Sequence, residues 1–141
     1  MLKALVAVDG SAAALRAVEY AIKLANGCAS FELLLLNVQP PADSWELKSH
    51  LRQSEIEAMQ VSEGGDALAG ARQMLDAAGV AYTPDVALGP VAATIVAYAR
   101  ERSCDGIIMG NKGETFLEEI VIGSVAHDVL RLSAIPVTFI K

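Results

Sequence analysis

Residues 105–113 read Asp-Gly-Ile-Ile-Met-Gly-Asn-Lys-Gly, and nine residues further on come Gly123 and Ser124. Ile107, Ile108 and Met109 make a short apolar run, as expected of a strand covered on both faces. The run passes into a glycine-containing loop, and Gly123-Ser124 opens a helical stretch that ends at Leu132. Strand, loop and helix in that order predict one unit of a parallel α/β sheet. Gly110, Gly113 and Gly123-Ser124 fall in a G-2x-G-9x-G-S spacing. Glycines at these points let backbone N–H groups close around an anion with no Cβ in the way. The first N–H groups of the following helix have no partner inside it, so a polyphosphate is the expected guest.

Outward from this element the same alternation repeats. Leu2–Val8 (LKALVAV) predicts a first strand, ending at Asp9-Gly10-Ser11, a turn with Ser11 as helix N-cap. Leu15, Val18, Ile22 and Ala25 recur at helical spacing between Ala12 and Asn26, and Asn26-Gly27 supplies the stop. Phe31–Val38 (FELLLLNV) is a second buried strand, halted by Pro40-Pro41. Within 42–65, Leu47 and Leu51 share a helix face, but the pattern then slips and Gly64-Gly65 weakens any continuous helix. Helix resumes over Asp66–Ala78 and closes at Gly79. Val80–Leu88 is the third strand. Gly89-Pro90 starts a helix whose inner face is Val91, Ile95 and Tyr98 or Ala99. Asp105–Met109 is the fourth strand, 110–122 the loop, Gly123–Leu132 the last helix and Ile135–Ile140 the fifth strand.

Proline placement orders these strands. A proline cannot donate to a ladder and belongs at a sheet edge. The third strand holds Pro84 and the fifth Pro136, and the order 3-2-1-4-5 puts those two at the edges. The expected fold is therefore α/β, one domain over residues 1–141, with a five-stranded parallel sheet and helices on both faces. Its switch point lies between strands one and four, where ligands settle outside the carboxyl ends. Asp9 and Gly110 end those two strands, so the glycine element and the strand order select the same crevice.

Composition narrows the function. The 141 residues are 53% hydrophobic but only 5% aromatic, so the interior is built from Ala, Val, Leu and Ile. No apolar stretch approaches the length of a membrane span, and the N-terminus shows no signal-peptide pattern, which predicts a cytoplasmic protein. A net charge of −6 argues against nucleic acid or an anionic membrane as the main partner. Cys28 and Cys104 have no metal-ligand spacing. They precede strands two and four, roughly 10 Å apart across strand one, beyond the reach of a disulfide.

The chain resembles the universal stress protein family over essentially its whole length. The resemblance rests on Val6-Ala7-Val8-Asp9-Gly10-Ser11, Leu36-Asn37-Val38, Gly89-Pro90, Asp105 to Gly110, the G-2x-G-9x-G-S element and Ile135-Pro136-Val137. It implies a Rossmann-like fold of the adenine nucleotide alpha hydrolase type, and the glycine element marks the branch that binds ATP. By the same resemblance Asp9 meets the nucleoside and the backbones near Ala7 and Val38 frame adenine, with Val8 also in the site. Gly110, Gly113, Gly123, Ser124 and Val125 hold the phosphates, usually with a divalent ion such as Mg²⁺, and Met109 and Lys112 complete the expected nucleotide site. Members commonly form homodimers, often through the last strand. One departure is the acidic loop: Glu114, Glu118 and Glu119 accompany the single Lys112. A carboxylate about 8 Å from a phosphate opposes it by roughly 0.5–2 kcal/mol.

Each feature has a plainer reading. The glycines can make tight turns alone, Asp9 can merely cap a turn, and Lys112 can be solvated. For Ser124, helix capping and phosphate binding compete for one hydroxyl. His127 suits helix packing better than catalysis. His50 has no acidic or cysteine partner at useful spacing. Asp43, Glu46, Glu55, Glu57 and Glu63 suit a solvated face. The last strand leaves an apolar edge that a second copy, or a helix of the same chain, would cover.

Three function classes compete. The first is an ATP-binding dimeric sensor or regulator, with no second cation or base to drive more than slow or partner-dependent hydrolysis. The second is a dimerisation module of the same fold, its site abolished by the acidic loop. The third, a nucleotidyl-transferring or adenylate-forming enzyme, lacks charged groups around an α-phosphate. A flavin carrier is disfavoured by the few aromatics available to stack the ring.

Overall fold

In the computed structural model, which describes residues 2–41, 52–112 and 123–141, side chains of each central strand alternate between two layers. Leu5 and Ala7 face one side of the sheet, while Ala4, Val6 and Val8 face the other. The elements run β1 (Leu2–Ala7), α1 (Ala12–Asn26), β2 (Phe31–Gln39), α2 (Gln53–Ala78), β3 (Thr83–Leu88), α3 (Val91–Glu101), β4 (Gly106–Gly110), α4 (Ser124–Leu132) and β5 (Val137–Ile140). All strands pair in parallel, in the order β3-β2-β1-β4-β5, as the proline placement predicts. Helices α1 and α2 cover one face with Ala17, Val18, Leu68 and Leu75. Helices α3 and α4 cover the other with Ile95, Tyr98, Ala126 and Val129. Central strands buried on both sides explain the unbroken apolar runs in the sequence.

Several expected boundaries move. The helix expected from Asp66 begins at Gln53 and runs unbroken through Gly64-Gly65 to Ala78. Gly64 is buried, and a Cβ on it would stand 2.5 and 2.9 Å from the Val86 methyls and 3.0 Å from Asn37 Oδ1. This glycine permits a close helix–sheet approach instead of ending the helix. Strand β3 starts at Thr83 and not at Val80, because the Val80 amide is spent on Leu75 O, closing the end of α2. Strand β5 starts at Val137, so Pro136 precedes it instead of lying inside it.

The two sheet edges differ. In a parallel strand each residue points its N–H and C=O the same way, alternating from one neighbour to the next. Gly89 N donates to Gln39 O, so the odd residues of β3 face β2 and the even ones face outward. Pro84, at an outward position, has no N–H. The outward N–H of Val86 is taken by its neighbour Asp85 at 2.9 Å. On β5, Pro136 O and Ile140 O accept from Ile107 and Asn111 of the β4 side, which turns the backbones of Val137 and Phe139 outward. The β3 edge is blunted; the β5 edge is open among the described residues.

Candidate functional site

Where β1 and β4 end side by side, the structure holds a cavity of ≈ 540 Å³. Ala7, Val8, Asp9, Val38, Met109, Gly110, Lys112, Gly123, Ser124 and Val125 all line it. Ten of the eleven residues singled out from the sequence thus meet in one place. Gly113 lies outside the described residues, as do Glu114, Glu118, Glu119, His50, Asp43 and Glu46. The walls also include Leu36 of the second strand, Pro40, which the sequence reading takes as that strand's stop, and Val91 and Ile95, which it places on an inner helix face; together they make an apolar slot.

One end of the cavity is the start of α4. The first i to i−4 bond of that helix runs from His127 N to Gly123 O. The amides of Ser124, Val125 and Ala126 therefore have no partner among the described residues, and all three residues line the cavity. Amides without partners among the described residues, together with the positive end of the helix dipole, favour an anion here. Ser124 is not the helix cap, in contrast to the expectation. The cap is Gly123, with no side-chain cap bond, and the helix already includes Ser124. Nor is the Gly123 amide open: it donates to Asn111 O at 2.6 Å. Asn111 N in turn donates to Ile140 O at 2.9 Å, so the start of α4 hangs from the end of β5.

At the mouth, Asp9 Oδ1 accepts from Ser11 N at 2.9 Å, and Ser11 Oγ accepts from Ala14 N at 3.2 Å. Ser11 is thus the cap of α1, as the sequence predicts, and Asp9 is held by an Asx turn, its other carboxylate oxygen having no partner among the described residues. Among the described residues, Asp9 and Lys112 are the charged ones lining the cavity.

The other end is polar in a less obvious way. Val8 N donates to Leu36 O at 2.9 Å, so even residues of β2 turn their backbones toward β1. The next ladder bond would run from Val38 N to Val8 O. Instead the buried side chain of Asn37 donates Nδ2 to Val8 O at 2.8 Å. Neither the N–H nor the C=O of Val38 finds a partner among the described residues, and Val38 lines the cavity. Sequence reasoning took Asn37 as part of a strand motif and gave it no role. A buried polar residue at the carboxyl end of an apolar strand was the available signal.

Away from the cavity, Tyr98 donates its hydroxyl to Asp85 at 2.8 Å, and Arg102 stacks 3.4 Å above the ring. Cys28 and Cys104 are both free, the first exposed and the second buried. No helix among the described residues is long and apolar enough to cross a membrane.

A model of the universal stress protein family matches residues 1–141. The chain is 33% identical to universal stress protein MJ0531 of Methanocaldococcus jannaschii, over 99% of this chain and 81% of that protein. Its structure resembles that of the M. jannaschii protein MJ0577, with TM-score 0.84 and 26% identity over 99% and 95% of the two chains. At the level of fold alone it also resembles the Archaeoglobus fulgidus universal stress protein solved in complex with dAMP. That match has TM-score 0.72 and 23% identity over 100% and 98% of the chains.

Proposed function

The chain belongs to the universal stress protein family, and on that footing we propose that it binds an adenine nucleotide, ATP with Mg²⁺, in the cavity between β1 and β4. One observation carries the reading: a single cavity has, at both ends, backbone groups with no partner among the described residues, the amides of α4 at one and Val38 at the other. The α4 amides of Ser124, Val125 and Ala126 suit phosphate oxygens, and Lys112 adds a positive charge on the same wall. Val38 offers a donor and an acceptor side by side. Adenine presents the complement, N1 as acceptor and the 6-amino group as donor, whereas guanine presents N1–H and O6 and mismatches both. The apolar walls from Leu36, Val91, Ile95 and Met109 suit a flat base. Asp9, one of whose oxygens has no partner among the described residues, suits ribose hydroxyls. The dAMP complex of the A. fulgidus relative supports a nucleotide of this class.

No group of three or more His, Cys, Asp or Glu side chains converges among the described residues. Mg²⁺ would therefore arrive on the phosphate oxygens and keep most of its water. Asp9 and Lys112 give no pairing of base and second cation for phosphoryl transfer, which suits a protein that holds its nucleotide and signals by occupancy. The open β5 edge, against a blunted β3 edge, supports a homodimer formed by antiparallel pairing of β5, acting as a sensor or regulator in the cytoplasm.

Calorimetric titration with Mg·ATP and Mg·GTP tests the reading. Saturable binding of ATP, with GTP at least about tenfold weaker, is expected. No binding at millimolar ATP refutes it and favours a same-fold dimerisation module without a nucleotide.

A further inference from the structure

We propose that Asn37 is a positioning residue: its side-chain amide takes the Val8 carbonyl in place of the Val38 backbone amide, and so keeps the Val38 N–H open toward the cavity. The inference rests on the reading that a purine docks there, and adds to it the device that makes the donor available.

The ladder shows the displacement. With Val8 N on Leu36 O at 2.9 Å, regular parallel pairing continues with Val38 N on Val8 O. That carbonyl is instead occupied by Asn37 Nδ2 at 2.8 Å. The Val38 amide remains directed at the β1 side, where the chain has already turned away at Asp9 and the cavity begins. A side chain has substituted for one rung of the sheet and released the rung's own donor.

The orientation of the Asn37 amide is determined by its surroundings. Gln39 Nε2 donates to Asn37 Oδ1 at 2.8 Å, so a flipped amide would set two donors together there and two acceptors together at Val8. Asn37 lies on the α1/α2 face of the sheet, and Gly64 of α2 leaves the space it fills, since a Cβ there would stand 3.0 Å from Oδ1. On the opposite face, Leu36 and Val38 line the cavity. Asn37 therefore acts on the ligand wall from behind the sheet, without touching the ligand.

Amide hydrogen exchange in the ligand-free protein tests this directly. The Val38 N–H is expected to exchange at least about tenfold faster than the amides of Leu34 and Leu36, and to become protected on adding Mg·ATP. In Asn37→Ala the freed Val8 carbonyl takes the Val38 amide, which is then protected without ligand. ATP affinity is expected to fall about fivefold, and the ATP-to-GTP preference to shrink with it. A merely structural asparagine would lower stability without protecting Val38 or changing that preference. A Val38 amide already protected in ligand-free wild type overturns the inference before any variant is made. So does unchanged Val38 exchange in Asn37→Ala or, if that variant does not fold, in Asn37→Ser. Should wild type bind no nucleotide while Val38 exchanges as stated, the nucleotide reading fails and the role of Asn37 in opening the rung stands.

Discussion

Gly110 and Ala13 touch so closely that a Cβ on the glycine would stand 2.9 Å from the Ala13 Cβ and 3.0 Å from its carbonyl carbon. The contact packs the start of α1 onto the end of β4, beside the cavity. Gly110 is thus required by packing, whatever the cavity holds. Gly110→Ala should lower unfolding stability by about 1–3 kcal/mol, the usual cost of overpacking. Urea denaturation of the ligand-free protein checks this, and an unchanged midpoint would show that α1 gives way freely.

Gly64→Ala sets two effects against each other. Replacing a mid-helix glycine gains about 1 kcal/mol of helix propensity. The new methyl would meet Val86 at 2.5 and 2.9 Å, and backbone on both sides limits how far either can retreat. Net destabilisation is expected. Adding Val86→Ala should make the glycine substitution milder or favourable, a coupling that a double-mutant cycle measures. Additive effects would mean that the two residues do not meet.

Tyr98 gives a pH signature. Its phenol is pushed up from 10.0 to about 12, first by burial, then by the hydrogen bond to Asp85 and that carboxylate's charge, with Arg102 opposing. The folded protein therefore keeps a proton that the unfolded chain releases. The contribution is complete below pH 10 and is lost as pH rises toward about 12. Tyr98→Phe should flatten the alkaline decline in melting temperature over that window. An identical decline in the variant would place the cause elsewhere.

The two cysteines should separate cleanly with a thiol reagent. Cys28 is exposed, while Cys104 is buried and burial pushes its thiol up. One equivalent is expected to react in the folded protein and the second only on unfolding. Rapid reaction of both would show that the β4 entrance opens readily.

Much of this was legible in the sequence, and the failures share a cause. Apolar runs alternating with helical periodicity, with Pro84 in an outward-facing slot of β3, sufficed for the strand order. Pro136 pointed to the right edge although it lies just before β5. The ligand crevice followed from that order, because Asp9 and Gly110 end neighbouring strands. Gly64 misled because a glycine's local meaning is a weak helix, whereas here the decisive partners are Asn37 and Val86, distant in sequence. Ser124 misled similarly: the helix starts one residue earlier than a serine cap requires. The role of Asn37 depends on which carbonyl of another strand it reaches, and no spacing rule along one strand reports that.

The unequal borders of the sheet bear on how far assembly can proceed. In the proposed dimer, with two copies joined through β5, the merged sheet would have twice five strands and end at both extremities in β3. Each terminus then presents Pro84 and an amide already claimed by Asp85, neither of which can template a newcomer. Association through that edge would stop at the pair, so raising the concentration would fill dimers without seeding fibres.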